Sequence, residues 1–148
     1  MSSEQILDII RQITDALIYL EQQGIVHRDL KPENILYSIK EEGKIEIKLN
    51  DFGIAKYCRQ SQDIEVQGTF PYISPECFCE RKCSFSADMW SLGVIWFELV
   101  FEKHPFKSRD MREYAQHCFN DSLVLVEELD ILNKQQSLIS NLLQTESI

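Results

Sequence analysis

The sequence lacks an excess of basic residues, and its charge is strongly negative. It contains 15 Lys and Arg against 24 Asp and Glu, which gives a formal net charge of −9 at pH 7. Nucleic acids and anionic membranes would repel such a surface, so we expect neither as the main partner. A cationic peptide is compatible with this charge, and simple solubility is the alternative explanation for it.

Long hydrophobic runs are also absent. The longest lies within residues 92–101, where it is too short, and too polar at Glu98, to span a bilayer. The N-terminus carries no apolar signal stretch, and the five cysteines are an odd number without a C-x-x-C pair. These features predict free thiols in a reducing, intracellular compartment, which we take as cytoplasmic with the nucleus as the alternative.

Two long segments have the apolar pattern of helices. The first has Ser2 and Gln5 as a capping box and Gly24 just past its end. Its apolar residues recur at helical spacing and predict an amphipathic helix of about five turns: Ile6, Ile9, Ile10, Ile13, Leu17 and Leu20. Residues 84–102 are apolar nearly all round, which predicts a helix in the middle of a domain. The fold class is therefore mainly α, in one domain.

A β-hairpin is predicted between these helices. Residues 35–37 form its first strand, residues 41–44 the turn, and the alternation of Ile45, Ile47 and Leu49 marks the returning strand. The hairpin would bring Asn50 and Asp51 back to the loop where it began. Residues 54–75 are polar and weakly periodic, so we expect a long connection without its own structure.

Two motifs at the ends of this hairpin carry the chemistry. Residues 27–34 read His-Arg-Asp-Leu-Lys-Pro-Glu-Asn, and residues 51–53 read Asp-Phe-Gly. We predict Asp29 as a base that accepts a substrate hydroxyl proton and Lys31 as the cation that neutralises phosphate charge. Asn34 and Asp51 would supply the oxygen ligands that Mg²⁺ prefers. The set is typical of phosphoryl transfer.

With Ser-Pro-Glu at 74–76 and Asp-Met-Trp-Ser-Leu-Gly at 88–93, these motifs resemble the eukaryotic protein kinase family. The resemblance covers essentially the whole chain. It implies that residues 1–148 are a partial protein kinase domain, the C-terminal lobe with a small β-hairpin at the catalytic loop. It also implies ATP and Mg²⁺ as cofactors and a protein substrate that receives the γ-phosphoryl group.

The same resemblance implies further roles around the nucleotide and the acceptor. Leu36 would lie under the adenine ring, with Ile95 and Leu99 beneath it. Phe52 would join a regulatory stack of side chains together with His27. Gly68-Thr69 resembles the serine/threonine kinase pattern, in which the threonine bonds near the base and the lysine.

Two glutamates and an arginine are given roles by resemblance alone. Glu33 and Glu98 match positions that bind arginine upstream of the acceptor in relatives that prefer basic substrates, although each could equally be a surface charge. Arg28 matches an arginine that binds a phosphate group on the activation segment, which is residues 51–76 in this chain. We expect Glu65 to supply that negative charge permanently; the alternative is that Glu65 is merely solvated.

Several parts of the family pattern are missing from these 148 residues. There is no Gly-rich phosphate loop, no Val-Ala-Ile-Lys strand lysine, and no late arginine to pair with Glu76. The N-terminal lobe is thus absent, and we expect this polypeptide alone to bind ATP weakly or not at all. The alternative function is a catalytically inert kinase lobe that acts as a binding or regulatory module.

Overall fold

The computed structural model describes residues 1–57, 62–63, 66–79, 82–106, 110, 112–114 and 116. Three helices, three short antiparallel ribbons and two 3₁₀ turns make up most of the described fold, and residues 112–114 and 116 are also helical. In chain order these are α1 Ser3–Gln22, β1 Ile25–Val26, a 3₁₀ turn Pro32–Asn34, β2 Ile35–Ile39, a 3₁₀ turn Glu41–Gly43, β3 Ile45–Leu49, β4 Lys56–Tyr57, β5 Gln62–Asp63, α2 Pro75–Cys79, β6 Lys82–Cys83 and α3 Phe85–Phe101. The described residues are mainly helical, as predicted.

The first helix confirms the sequence prediction in detail. The Ser2 hydroxyl accepts from the Gln5 backbone N–H, and the Gln5 side chain accepts from the Ser2 N–H, so the capping box is complete. All six predicted apolar positions are buried. Gly24 has φ of 72°, a conformation that favours glycine and lets the chain turn into β1.

Each of the six strands pairs with one other strand in an antiparallel ribbon. The predicted hairpin is confirmed: β2 pairs with β3, from Ile35 opposite Leu49 to Ile39 opposite Ile45. The other ribbons join β1 with β4 and β5 with β6. Residues 54–75, predicted to lack structure, therefore contain β4 and β5. Strands of two residues are too short to show an alternating pattern, which is why the prediction failed there.

The core is centred on α1, which contacts both the long helix α3 and the strand β3. The middle of α3 is buried on every side, which confirms the prediction for this segment. Tyr114 is fully buried beside α3, where its hydroxyl accepts from Trp90 Nε1 at 2.9 Å and donates to the Ile73 carbonyl at 3.0 Å. These bonds fix the segment that follows Thr69 against the core.

Within the described residues, no helix combines the length and the apolar character needed to cross a bilayer.

Candidate active site

The loop at residues 27–34 is hydrogen-bonded to a buried carboxylate. The backbone N–H groups of His27 and Arg28 donate to the two oxygens of Asp88, at 2.8 and 2.9 Å. Asp88 lies on α3 and is only 3% exposed. Burial raises the pKa of Asp88, and the two backbone hydrogen bonds oppose that rise. The loop is therefore attached directly to the most buried helix of the fold.

The imidazole of His27 joins this loop to the end of the hairpin. Its Nδ1 accepts from the Asp29 backbone N–H at 3.3 Å, so Nε2 carries the hydrogen and donates to the Asn50 carbonyl at 3.1 Å. The Phe52 ring lies 4.8 Å from the imidazole, centroid to centroid. His27 thus contacts the residues on both sides of Asp51, and the two predicted motifs meet.

The Asp29 side chain lies at the centre of a hydrogen-bond network. Thr69 donates its hydroxyl hydrogen to Asp29 Oδ1 at 2.6 Å and accepts from Lys31 Nζ at 2.7 Å. Lys31 also forms an ion pair with Asp29 Oδ2 at 2.9 Å, with both side chains largely shielded from solvent. Three residues that the sequence analysis assigned to one site are therefore in direct contact.

These contacts decide the protonation of Asp29. Partial burial alone would raise the pKa of Asp29. Hydrogen bonds from Thr69, Lys31 and Asn34, together with the charge of Lys31, outweigh burial and lower the pKa below the usual aspartate value. Asp29 is therefore ionised at neutral pH, which a proton acceptor requires.

Asn34 and Asp51 present oxygen atoms beside this network. Asn34 Nδ2 donates to the Asp29 carbonyl at 2.8 Å and to Asp29 Oδ2 at 3.1 Å, so the amide orientation is fixed and Oδ1 is left as the acceptor. The Asn34 carbonyl accepts from the Asn50 N–H at 2.8 Å, which closes the base of the hairpin. Asp51 is exposed, and its Oδ1 accepts from the Gly53 N–H at 3.2 Å.

One carboxylate and one amide oxygen fit a Mg²⁺ ion that takes its other ligands from phosphate and water. The described residues contain no group of three or more His, Cys, Asp or Glu side chains placed to hold a metal by themselves.

The segment that carries Thr69 reaches the loop because of a glycine. Gly68 has φ of 130°, and a Cβ at this position would lie 2.9 Å from the Arg28 carbonyl oxygen. Only glycine allows this approach without a shift of one backbone against the other. The close approach of Gly68 to the Arg28 carbonyl could not be predicted from the sequence, because the two residues are 40 positions apart in the chain.

Comparison with known proteins decides the family. The model of the protein kinase domain matches residues 1–147. The chain belongs to the protein kinase family. This kinase chain is 36% identical over 141 residues to the calcium/calmodulin-dependent protein kinase cmkA of Emericella nidulans, which covers 93% of the chain and 34% of the relative.

Two other relatives are serine/threonine-protein kinases by name. The calcium and calcium/calmodulin-dependent kinase of Oryza sativa subsp. japonica is 37% identical over 141 residues, 93% of the chain and 27% of the relative. ULK3 of Homo sapiens is 33% identical over 139 residues, 93% of the chain and 29% of the relative. The kinase chain spans about a third or less of the length of these relatives.

The two glutamates predicted to bind substrate lie near one tyrosine of the kinase chain. Tyr72 donates its hydroxyl hydrogen to Glu98, at 3.0 Å to the nearer oxygen. Burial raises the pKa of Tyr72, and the charges of Glu98 and, to a smaller extent, Glu33 raise it further. Glu33 is exposed and Glu98 half-buried. The structure thus shows a direct contact of Tyr72 with Glu98 and a weaker effect of the Glu33 charge on the same hydroxyl. Nothing in the sequence indicated this role for Tyr72.

The structure describes most of the residues predicted to contact adenine or to regulate the site, but not all of them. Leu36 is 52% exposed on β2, and Ile95 is buried in α3. Arg28 is buried with φ of 72°, and its Nη1 donates to the Ile54 carbonyl at 3.2 Å. Glu65, its predicted partner, lies outside the described residues. Glu76 is half-buried, and its Oε1 accepts from the Ser86 hydroxyl at 3.4 Å.

Proposed function

We propose that this chain is the C-terminal lobe of a serine/threonine protein kinase, which transfers the γ-phosphoryl group of ATP to a hydroxyl of a protein substrate. The observation that carries the proposal is the Thr69 hydroxyl, which bonds to both Asp29 and Lys31. It joins the activation segment to the two residues of the catalytic loop that the chemistry needs. The serine/threonine kinases among the relatives support the same conclusion.

Each side chain has a role in this proposal. Asp29, ionised at neutral pH, orients the acceptor hydroxyl and takes its proton. The Lys31 ammonium neutralises negative charge that develops on the transferred group. Asn34 Oδ1 and the Asp51 carboxylate would bind Mg²⁺. When MgATP is bound, ATP would supply the phosphoryl group and Mg²⁺ would neutralise negative charge on the phosphate oxygens. Positioning and charge neutralisation account for most of such catalysis.

An Asp29→Asn variant of the complete protein tests the proposal. The substitution keeps the shape but removes the proton acceptor, so transfer of phosphate from MgATP to serine or threonine peptides should fall by about 10²–10⁴-fold. Asp15→Asn, an exposed carboxylate on α1, is the matched control. A wild-type protein without transfer, or equal turnover in wild type and Asp29→Asn, would refute the function.

We further propose that the enzyme prefers substrates with arginine or lysine upstream of the acceptor. The bond from the Tyr72 hydroxyl orients the Glu98 carboxylate, and the negative charge of Glu33 acts on the same hydroxyl, which supports this proposal. A cationic side chain there would gain charge-assisted hydrogen bonds. The net charge of −9 would also attract basic peptides. If both glutamates are only surface charges, no such preference exists.

A peptide library resolves this point. Wild-type enzyme should enrich arginine or lysine upstream of the acceptor, and Glu98→Gln should reduce the enrichment at one position with little change in turnover of a neutral peptide. Glu102→Gln, exposed one residue after α3, controls for the loss of one negative charge. A library without enrichment in the wild type would end the proposal.

We also propose that Glu65 provides a fixed negative charge for Arg28, so that no phosphate is needed there. Arg28 belongs to the catalytic loop, and its backbone N–H donates to Asp88. Because Arg28 directly precedes Asp29, the positions of the two residues are linked. Glu65→Ala and Glu65→Gln should both lower turnover in the complete enzyme. Unchanged turnover in both variants would show that Glu65 is merely solvated.

A further inference from the structure

The Gln12 side chain on α1 forms two hydrogen bonds with the backbone of β3, as the backbone of a neighbouring strand would. Gln12 Nε2 donates to the Ile45 carbonyl at 2.9 Å, and Gln12 Oε1 accepts from the Ile47 N–H at 3.1 Å. β3 pairs with β2 along its other edge. The Gln12 amide thus satisfies two backbone groups on the edge of the hairpin that faces the helix.

The orientation of this amide is fixed by a third contact. Gln12 Nε2 also donates to Asp8 Oδ2 at 2.8 Å, and Arg11 holds the other Asp8 oxygen at 2.7 Å. Rotation of the amide by 180° would place Oε1 against a carboxylate and a carbonyl, both of which are acceptors. Glutamine is therefore the residue that this position requires, since a glutamate would meet the same two acceptors.

We propose that Gln12 is a positioning residue that sets the distance between the Asp51 and Asp29 carboxylates; this role depends on the proposed kinase function. β3 leads directly into Asp51, while α1 leads through β1 into Asp29. Gln12 is half-buried between them and fixes β3 at one register along the helix. Loss of its bonds frees the strand to shift, and Asp51 shifts with it.

The first test measures hydrogen exchange in the complete protein and needs no activity. Gln12→Met keeps the length of the side chain but removes all three hydrogen bonds. We expect the backbone amides of residues 45–50 to exchange at least tenfold faster, while those of α3 stay unchanged. Gln22→Met, at the exposed end of α1, is the matched control. Equal acceleration in β3 and α3, or none in β3, would overturn the proposal.

The second test measures the Mg²⁺ dependence of phosphoryl transfer. In Gln12→Met the Mg²⁺ concentration for half-maximal turnover should rise about fivefold, the KM for peptide should stay constant, and saturating Mg²⁺ should restore most of kcat. Gln12→Glu should show the larger effect, because its carboxylate meets Asp8. A purely structural role would lower kcat at every Mg²⁺ concentration, and that result would overturn the proposal.

Two further controls separate the possible failures. If Gln12→Met does not fold, Asp8→Ala removes only one of the three bonds and should give the same pattern with smaller amplitude; an unchanged pattern would overturn the proposal. A wild-type protein without phosphoryl transfer would refute the proposed function and this role with it. An active wild type whose Mg²⁺ dependence is unaffected in Gln12→Met would refute the positioning role alone.

Discussion

At the scale of single residues, the site is organised around one hydroxyl hydrogen. Thr69 has one hydrogen to donate and gives it to Asp29, so it can meet Lys31 only as an acceptor. Lys31 supplies the donor for that contact and also pairs with Asp29. The three groups therefore use their donors and acceptors consistently, and each fixes the position of the other two.

This arrangement predicts the effect of removing the hydroxyl. Thr69→Ala should lower turnover by about 10²-fold, because Asp29 and Lys31 lose the group that fixes their positions. Thr69→Ser keeps the hydroxyl and should retain most of the activity. Steady-state kinetics of the complete protein with a serine or threonine peptide provides the measurement. Similar losses in both variants would show that the methyl group, rather than the hydroxyl, matters.

The lowered pKa of Asp29 predicts how stability depends on pH. A carboxyl whose folded-state pKa is depressed contributes stability that is present above its unfolded-state pKa, about 3.9, and is lost as pH falls through the folded-state value. The wild type should therefore lose stability relative to Asp29→Asn below about pH 4, with a constant difference between pH 6 and 8. Urea denaturation across this range measures the difference. A difference that changes between pH 6 and 8 would contradict the assignment.

Part of the contact network around Asp29 could be predicted from the sequence, because several of its residues belong to one short motif. Asp29, Lys31 and Asn34 lie within six residues, and their spacing already indicated a common loop. Tyr72 and Gln12 were missed because their roles depend on contacts with residues 26 and 33 or more positions away. A tyrosine or a glutamine in a polar segment or on a helix gives no local signal of such a contact.

At the scale of elements, the segment 66–74 approaches the catalytic loop closely at one point. Gly68→Ala would place a Cβ 2.9 Å from the Arg28 carbonyl oxygen, in a backbone conformation that side chains rarely adopt. We expect the segment to shift and Thr69 to lose its contacts, with a fall in turnover of about tenfold or more. The backbone strain alone should cost about 1–3 kcal/mol of stability.

Gly43 offers the matched control for this prediction. It has φ of 75° in the turn before β3, and a Cβ there would meet nothing within 4 Å. Gly43→Ala should therefore show a loss of stability from strain but keep its turnover. Denaturation midpoints and kinetics of both variants separate strain from steric contact. Normal turnover in Gly68→Ala would show that the close approach does not position Thr69.

Helices and strands could be predicted where the pattern of apolar residues repeats over several periods. α1 and the β2–β3 hairpin each contain several periods of apolar residues, and both were confirmed. The ribbon of β1 and β4 joins residues 25–26 to residues 56–57 through two pairs only. Its stability depends on the loop and hairpin between them, which no local pattern reveals.

At the scale of the whole molecule, two apolar side chains that belong to the proposed nucleotide site or its surroundings are exposed. Leu36 is 52% exposed and Phe52 is 45% exposed, although the family resemblance places Leu36 under an adenine ring and Phe52 in a stack of side chains with His27. Leu36 lies at the start of β2, and Phe52 follows Asp51 in the loop after β3.

This exposure leads to a prediction about the 148-residue polypeptide by itself. These residues supply one side of the proposed nucleotide site and contain no Gly-rich phosphate loop. With Leu36 open to water on one side, an adenine ring would bury little area, and its contribution to affinity would be small. Calorimetry with MgATP should therefore give a dissociation constant in the millimolar range or no heat, and Asp51→Asn should change this little. Micromolar affinity that Asp51→Asn abolishes would mean instead that Asn34, Leu36 and Asp51 form a sufficient nucleotide site without a second lobe.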